Sequence, residues 1–422
     1  MVDVLKNLHI VSDDYDIEKL YDIRIENGYI CEIGENIDIS NSYVVECNGL
    51  FAISGLIDMN CCIGDPGFEH IEDIETASMS ASKGGFTTLT CQPSTNPAID
   101  NKAVVDYVIS KSGVYSLVNI FPYGSMTMGC LGKEISEIGE MYKMGIVALS
   151  DGGNSIKDTG LLRNIFKYSK IFDLPVITRC DDTNISGGGV MNEGYMSTLL
   201  GLKGIPKEAE EIVVARDIVL AERTGARLHI SAVSTEGSVQ LIREAKKRGV
   251  NVTCETSPQY FTFTEESVKG YNTLFKVKPP LRTDRDRKSI VEGIKDGTID
   301  VISSLHTPAT ADGKDEVFDS AEWGISNLET AFPVSYTYLV ETGEITLESL
   351  VEKMSINPAK ILKLEKNCIN VGAKANMTIV DIENSFTVDS EKFYSKAKFS
   401  PYDGMSLKGD VKYTVVNGKI IC

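Results

Sequence analysis

The sequence predicts an α/β protein: a (β/α)8 TIM barrel over residues 51–364, with a small β-sandwich domain assembled from both chain ends, 1–50 and 365–422. Three observations predict it. Short apolar, β-branched runs alternate with amphipathic stretches through the middle of the chain, the pattern of repeated βα units on a parallel sheet. Eight such runs can be counted, enough to close a barrel. The flanks instead alternate with period two and carry Asn-Gly turns, the signature of antiparallel hairpins. Neither flank is long enough for a core of its own, so the two are expected to meet.

In chain order, YDIRIENGYICEIG (21–34) reads as a hairpin of the N-terminal flank. The eight barrel runs follow: GLIDMNCC from Gly55, TTLTCQPS from Thr87, YSLVNIFPYG from Tyr115, IVALSDGG from Ile146, PVITRC from Pro175, ARLHISAVS from Ala226, NVTCETSPQ from Asn251 and DVISSLHTP from Asp300. Between them lie segments with apolar residues three or four apart and glycine stops: KEISEIGEMYKMG, DTGLLRNIFKYSKIFD, EEIVVARDIVLAERTG and TEGSVQLIREAKKRG. The polar stretch Thr310–Asp319 reads as a mobile loop. ANMTIVDI (375–382) and DVKYTVVNGKIIC (410–422) return to strand alternation and complete the second domain.

Composition excludes several function classes. Among 422 residues, 42% are hydrophobic and 24% charged, ordinary for a globular protein, and no run approaches the roughly 18 apolar residues of a membrane span. With 42 Lys and Arg against 60 Asp and Glu, the net charge is −18, which disfavours binding to nucleic acid or anionic lipid. The start has no apolar secretion segment, and ten cysteines without a CxxC pair fit reduced thiols, so a cytoplasmic protein is expected. Histidine is scarce: only His9, His70, His229 and His306.

On such a barrel, chemistry is expected at the carboxyl ends of the strands. There the chain resembles the dihydroorotases of the amidohydrolase superfamily. The resemblance is carried by GLIDMNCCIGDPGFEHIEDIETASMSASKGGFTTLTCQPSTNPAID (55–100), GGVMNEG (188–194), LHISAVSTEGSV from Leu228, KPPLRTDRDR from Lys278 and GISNLETAFP from Gly324. It implies a metal-dependent barrel, and a set of ligands this sequence does not supply. The family's first strand ends in His-x-His with an Arg two residues on; these places hold Asn60, Cys62 and Gly64. The ligand histidines expected after strands five and six are Arg179 and Ala232, and the catalytic Asp of strand eight is Leu305. The substrate positions are Ser94, Lys278 and Ala309. Only Asp151 matches a metal-site position.

Elementary chemistry points the same way. Hydrolysing a cyclic amide at neutral pH needs an activated water, and a bound divalent metal lowers the pKa of water from about 15.7 to about 7. A catalytic zinc site needs three protein ligands. His9 lies in a terminal strand, His70 leads into a helix, His229 faces away from Ile230 or Ala232, and His306 is expected to face away from the barrel axis. No intact catalytic set and no resident metal are therefore expected, zinc entering only if an atypical site exists. An Arg179–Asp151 ion pair is expected to replace the metal's charge. Ser80 and Lys83 have a Ser-x-x-Lys spacing but fall on an outer helix, and Glu193 reads as a solvated loop charge.

The leading expectation is a silent dihydroorotase homologue, dimeric, acting as a structural or regulatory partner in pyrimidine synthesis. Its partner candidates are aspartate carbamoyltransferase, the first implied by the resemblance, and an active dihydroorotase. The alternatives are an active cyclic amide hydrolase of dihydroorotase or hydantoinase type, and a small-ligand sensor whose pocket is rimmed by Arg179, Lys278 and Asp151.

Overall fold

The computed structural model describes residues 2–421, and the eight apolar runs become eight parallel strands. They are Leu56–Cys61, Phe86–Cys91, Asn119–Pro122 continued by Gly124–Ser125, Leu149–Ser150, Val176–Arg179, Leu228–Ser231, Val252–Thr256 and Val301–Ile302. Each pairs in parallel with the next. The ring closes between strands eight and one. There the Cys62 N–H donates to the His306 carbonyl at 2.9 Å, and the Ser304 N–H donates to the Asp58 carboxylate at 2.7 Å.

The intervening helices bury one apolar stripe each against this ring, as their spacing predicts. Glu208–Thr224 stops at Gly225, whose φ of 69° only glycine adopts without cost. Glu236–Lys247 starts at Thr235, whose side chain accepts from the Ser238 N–H. The helix expected over Lys133–Gly145 is shorter, Ile138–Met144, because Ile135 bridges back to Thr127 at the barrel mouth. Ser80 and Lys83 sit on the outer helix Ile74–Lys83, and the Lys83 ammonium donates to the Val411 carbonyl of the second domain.

Both chain ends do form one β domain, around a core that includes Leu5, Ile23, Ile25, Met377, Ile379 and Val415. Its first strand, Val2–Ile10, is shared between two sheets. The N-terminal half pairs with Tyr21–Glu26 and Tyr43–Glu46; beyond Asn7, at φ 60°, the strand pairs with Phe51–Ser54. A strand that changes sheet at an irregular residue makes the corner of a sandwich. Phe51–Ser54, which the sequence reading put in the barrel, therefore belongs to the β domain, between this strand and Met377–Asp381. The stretch Thr310–Asp319 is likewise not a loose loop. The buried Lys314 ammonium donates to the carbonyls of Thr273 and Lys276, and Phe318 is buried. Among the described residues no helix is long and apolar enough to cross a membrane.

The domains are joined by buried polar contacts. Asn367 donates to the Gly55 carbonyl at 2.8 Å and to Thr87 at 3.0 Å, just where the chain enters the barrel. Asn367→Ala leaves the Gly55 carbonyl with only its Ser355 contact and removes a donor from Thr87. The expected loss is about 1–3 kcal/mol of stability, read as a lower midpoint in urea unfolding.

Candidate functional site

The carboxyl ends of the strands gather ten positions singled out by sequence, but they do not form one cluster. Asp151, at the end of strand four, is almost fully buried, and three donors from the end of strand three hold it. The N–H groups of Met126 and Thr127 donate at 2.8 and 3.0 Å, and the Thr127 hydroxyl donates at 2.5 Å. Burial nevertheless keeps its carboxyl above the usual range, against those hydrogen bonds. The expected Arg179–Asp151 ion pair is not present. Arg179 donates to the Lys278 carbonyl, and Lys278 in turn pairs through its ammonium with Asp181 at 2.8 Å. Backbone amides and a neighbouring hydroxyl occupy Asp151, so a guanidinium is not needed there.

Asn60, at the end of strand one, turns inward. Its amide nitrogen donates to Ser231 and to Glu255 Oε1, both at 2.7 Å, and its oxygen accepts from Gln92 Nε2 at 3.1 Å. Glu255 also accepts from the Ser231 hydroxyl at 2.8 Å, and its second oxygen lies 3.7 Å from His229 Nε2. Burial alone would raise the Glu255 carboxyl; His229, Asn60 and Ser231 outweigh it and hold the group below its usual range. His229 thus faces the barrel interior, opposite Ile230, rather than the rim. His306 turns away from the axis, as expected, accepting from the Asn327 N–H and meeting Glu72 at 3.3 Å.

The remaining positions carry little chemistry. Burial pushes the Cys62 thiol up to about 11, with Arg179 opposing, so it is neutral at physiological pH. Ser94 is exposed, while Leu305 and Ala309 are buried and apolar. Ala232 and Leu305 share an uncommon backbone, with φ of 54° and 51°. Gly64 is built around its missing side chain: at φ 76°, a Cβ there would lie 2.7 Å from the Glu72 carbonyl oxygen. Among the described residues, no group of three or more His, Cys, Asp or Glu side chains could hold a metal ion.

Residues 49–238 match the family described as dihydro-orotase-like, and residues 155–421 match the amidohydrolase family. A dihydroorotase of Acetivibrio thermocellus is 50% identical over 418 residues, covering 99% of this chain and 98% of that protein. A second, from Caldanaerobacter subterraneus, is 49% identical over 417 residues, covering 99% and 96%. This chain belongs to the dihydroorotase family. Among solved structures, an L-hydantoinase of Arthrobacter aurescens superposes with a TM-score of 0.89 at 27% identity, covering 100% of this chain and 96% of that one. A D-hydantoinase at 21% identity shares the fold, with a TM-score of 0.87 over 100% and 95% of the two chains.

As a dihydroorotase-family barrel, the chain keeps its motif residues where they shape loops. Asn192 of GGVMNEG accepts from Arg282 of KPPLR at 2.9 Å, and Arg282 also donates to the Ile205 carbonyl and to Ser234. Glu193, beside Asn192, is exposed as expected. Sequence reasoning missed Glu255 and Gln92, the two partners that determine how Asn60 is used. The signal was present: each is a lone long polar residue inside an apolar strand run, CETS and TCQP.

Asn60→Ala strips a donor from buried Glu255 and an acceptor from buried Gln92. It is expected to cost about 1–3 kcal/mol in thermal or urea unfolding, whereas Cys62→Ala, which breaks no such contact, falls within about 1 kcal/mol. Asp58 supplies a pH test. Burial pushes its carboxyl up to about 6, so the folded chain holds a proton that the unfolded chain, with a pKa near 3.8, has released. Stability contributed by this group therefore falls as pH rises from about 4 to about 6 and is flat above. Asp58→Asn is expected to remove that slope, worth up to about 3 kcal/mol, in unfolding curves across this range.

Proposed function

We propose that this chain is a dihydroorotase homologue without hydrolytic turnover. In this reading it is retained in pyrimidine biosynthesis as a homodimeric structural or regulatory partner, in the cytoplasm, with aspartate carbamoyltransferase as the first candidate and an active dihydroorotase the second. The observation that carries the reading is the state of Asp151. It is the one carboxylate left at a family metal position, and it already accepts three hydrogen bonds, from the N–H groups of Met126 and Thr127 and from the Thr127 hydroxyl. The other family metal positions hold Asn60, an uncharged Cys62, Arg179, Ala232 and Leu305. A zinc site needs three donors such as imidazole, thiolate or carboxylate, and this donor set does not fit one. A guanidinium at Arg179 adds repulsion for a dication.

A second reading, an active cyclic amide hydrolase with an atypical site, is favoured by one observation: relatives about 50% identical over the whole chain are named dihydroorotase. Elemental analysis of the purified protein, together with an assay of dihydroorotate formation and opening, separates the two. Substoichiometric zinc and no turnover above buffer are expected; stoichiometric zinc with turnover overturns the proposal. For the partner, sedimentation of the chain mixed with aspartate carbamoyltransferase at micromolar concentrations is expected to give a co-migrating complex. Two independent boundaries would remove that candidate.

A further inference from the structure

We propose that the recess beside Cys62 is a binding site for a small uncharged molecule carrying an N–H donor, a primary carboxamide or a urea, read by the side-chain oxygen of Gln92. The argument starts at Glu255. A carboxylate only accepts, so Asn60 must turn its NH2 group toward Glu255 and Ser231. That leaves the Asn60 oxygen facing Gln92, which must answer with its own NH2 group. The amide oxygen of Gln92 is then the free end. It is buried and has no hydrogen-bond partner in the protein, although Gln92 as a whole is only 5% exposed. An unpaired buried acceptor is destabilising, a deficit that a ligand donor removes.

Gln92 lines a recess of about 420 Å³, counting its open mouth, between strands one and two. Ile63, Phe68, Ile71 and Pro308 give it apolar walls, and exposed Ser94 also lines it. No lysine or arginine lines it. Glu72 does, but its carboxylate is committed to Ser395, Thr76 and His306. A carboxylate ligand would meet no cation and face that acidic wall, so the recess fits a neutral ligand and not an acid. The ligand class thereby differs from the anionic substrate whose clamp, an Arg at position 64, the resemblance implies. The proposal deepens the reading of the mouth as non-hydrolytic and rests on it in one respect: the bound amide is released intact.

The test uses the full-length protein with benzamide, N,N-dimethylbenzamide and benzoate as probes, followed by ligand-observed NMR titration. Benzamide is expected to bind with a Kd of roughly 1 mM or tighter, and the other two at least about tenfold more weakly. Gln92→Met is expected to remove the benzamide preference. Equal binding of all three probes by the natural chain, or no benzamide binding at concentrations several times that Kd, overturns the site without recourse to the variant. Ammonia is measured in the same samples. Its release would overturn the non-hydrolytic reading of the mouth, whereas unbound benzamide recovered intact counts against the recess alone.

Discussion

The buried carboxylate of Glu255 is the constraint on which the barrel interior is arranged. Sealed from water and able only to accept, it would cost several kcal/mol if left unpaired. It therefore dictates the orientation of every group around it. Asn60 and Ser231 donate to one oxygen, His229 stands by the other, and Gln92 takes its orientation from Asn60 at one remove. An amide at position 60 suits this place because it offers a donor and an acceptor on one rigid plane, passing the polarity outward from the carboxylate to the rim. A neutral imidazole has a single N–H; spent on Glu255, it leaves only a lone pair for anything else.

The mouth follows the same economy of local satisfaction. Asp151 is settled by the end of strand three, Lys278 by Asp181, Glu72 by Ser395 and His306, and Arg179 by a carbonyl. Each of these charges is answered by near neighbours. A zinc centre calls for several carboxylates, thiolates or imidazoles that converge on one cation.

The barrel was legible because its signal is periodic. Eight apolar runs separated by amphipathic stretches survive any change at their tips, and all eight became strands. Boundaries were less legible. Phe51–Ser54 is apolar enough for a barrel strand, and its pairings with Val2–Ile10 and with Met377–Asp381, more than 300 positions away, assign it to the β domain. The polar composition of Thr310–Asp319 hid two anchors, Lys314 and Phe318, whose partners lie in the preceding barrel segment. At the site, sequence located each position but not its contacts. Matching Arg179 with Asp151 treated opposite charges as partners, whereas the donors that win are two backbone N–H groups and a hydroxyl about 25 positions before Asp151. Main-chain donors leave no trace in residue types, so this competition was invisible in the sequence.

Ala232 and Leu305 show why the scaffold keeps its form whatever the side chains at its rim. Both hold a left-handed backbone that costs a non-glycine residue of order 1–2 kcal/mol. Neither side chain has polar chemistry to justify that cost, so the reason lies in what the bends deliver. After Ala232 the chain turns so that the Val233 N–H reaches the Glu255 carbonyl, and Ser234 and Thr235 reach Glu210. After Leu305 it turns so that the His306 N–H meets Ser304 and the His306 carbonyl receives Cys62, the contact that closes the ring. The bends are thus required by barrel closure and by loop anchoring, independently of any metal. Gly64 carries the complementary constraint, since its backbone sits against Glu72 with no room for a Cβ. Restoring an arginine there would need the loop to move. Imidazoles returned to positions 60 and 62 would first have to break the hold of Glu255 on Asn60. The interior hydrogen bonds and the Gly64 turn thus fit the residues now present at the rim.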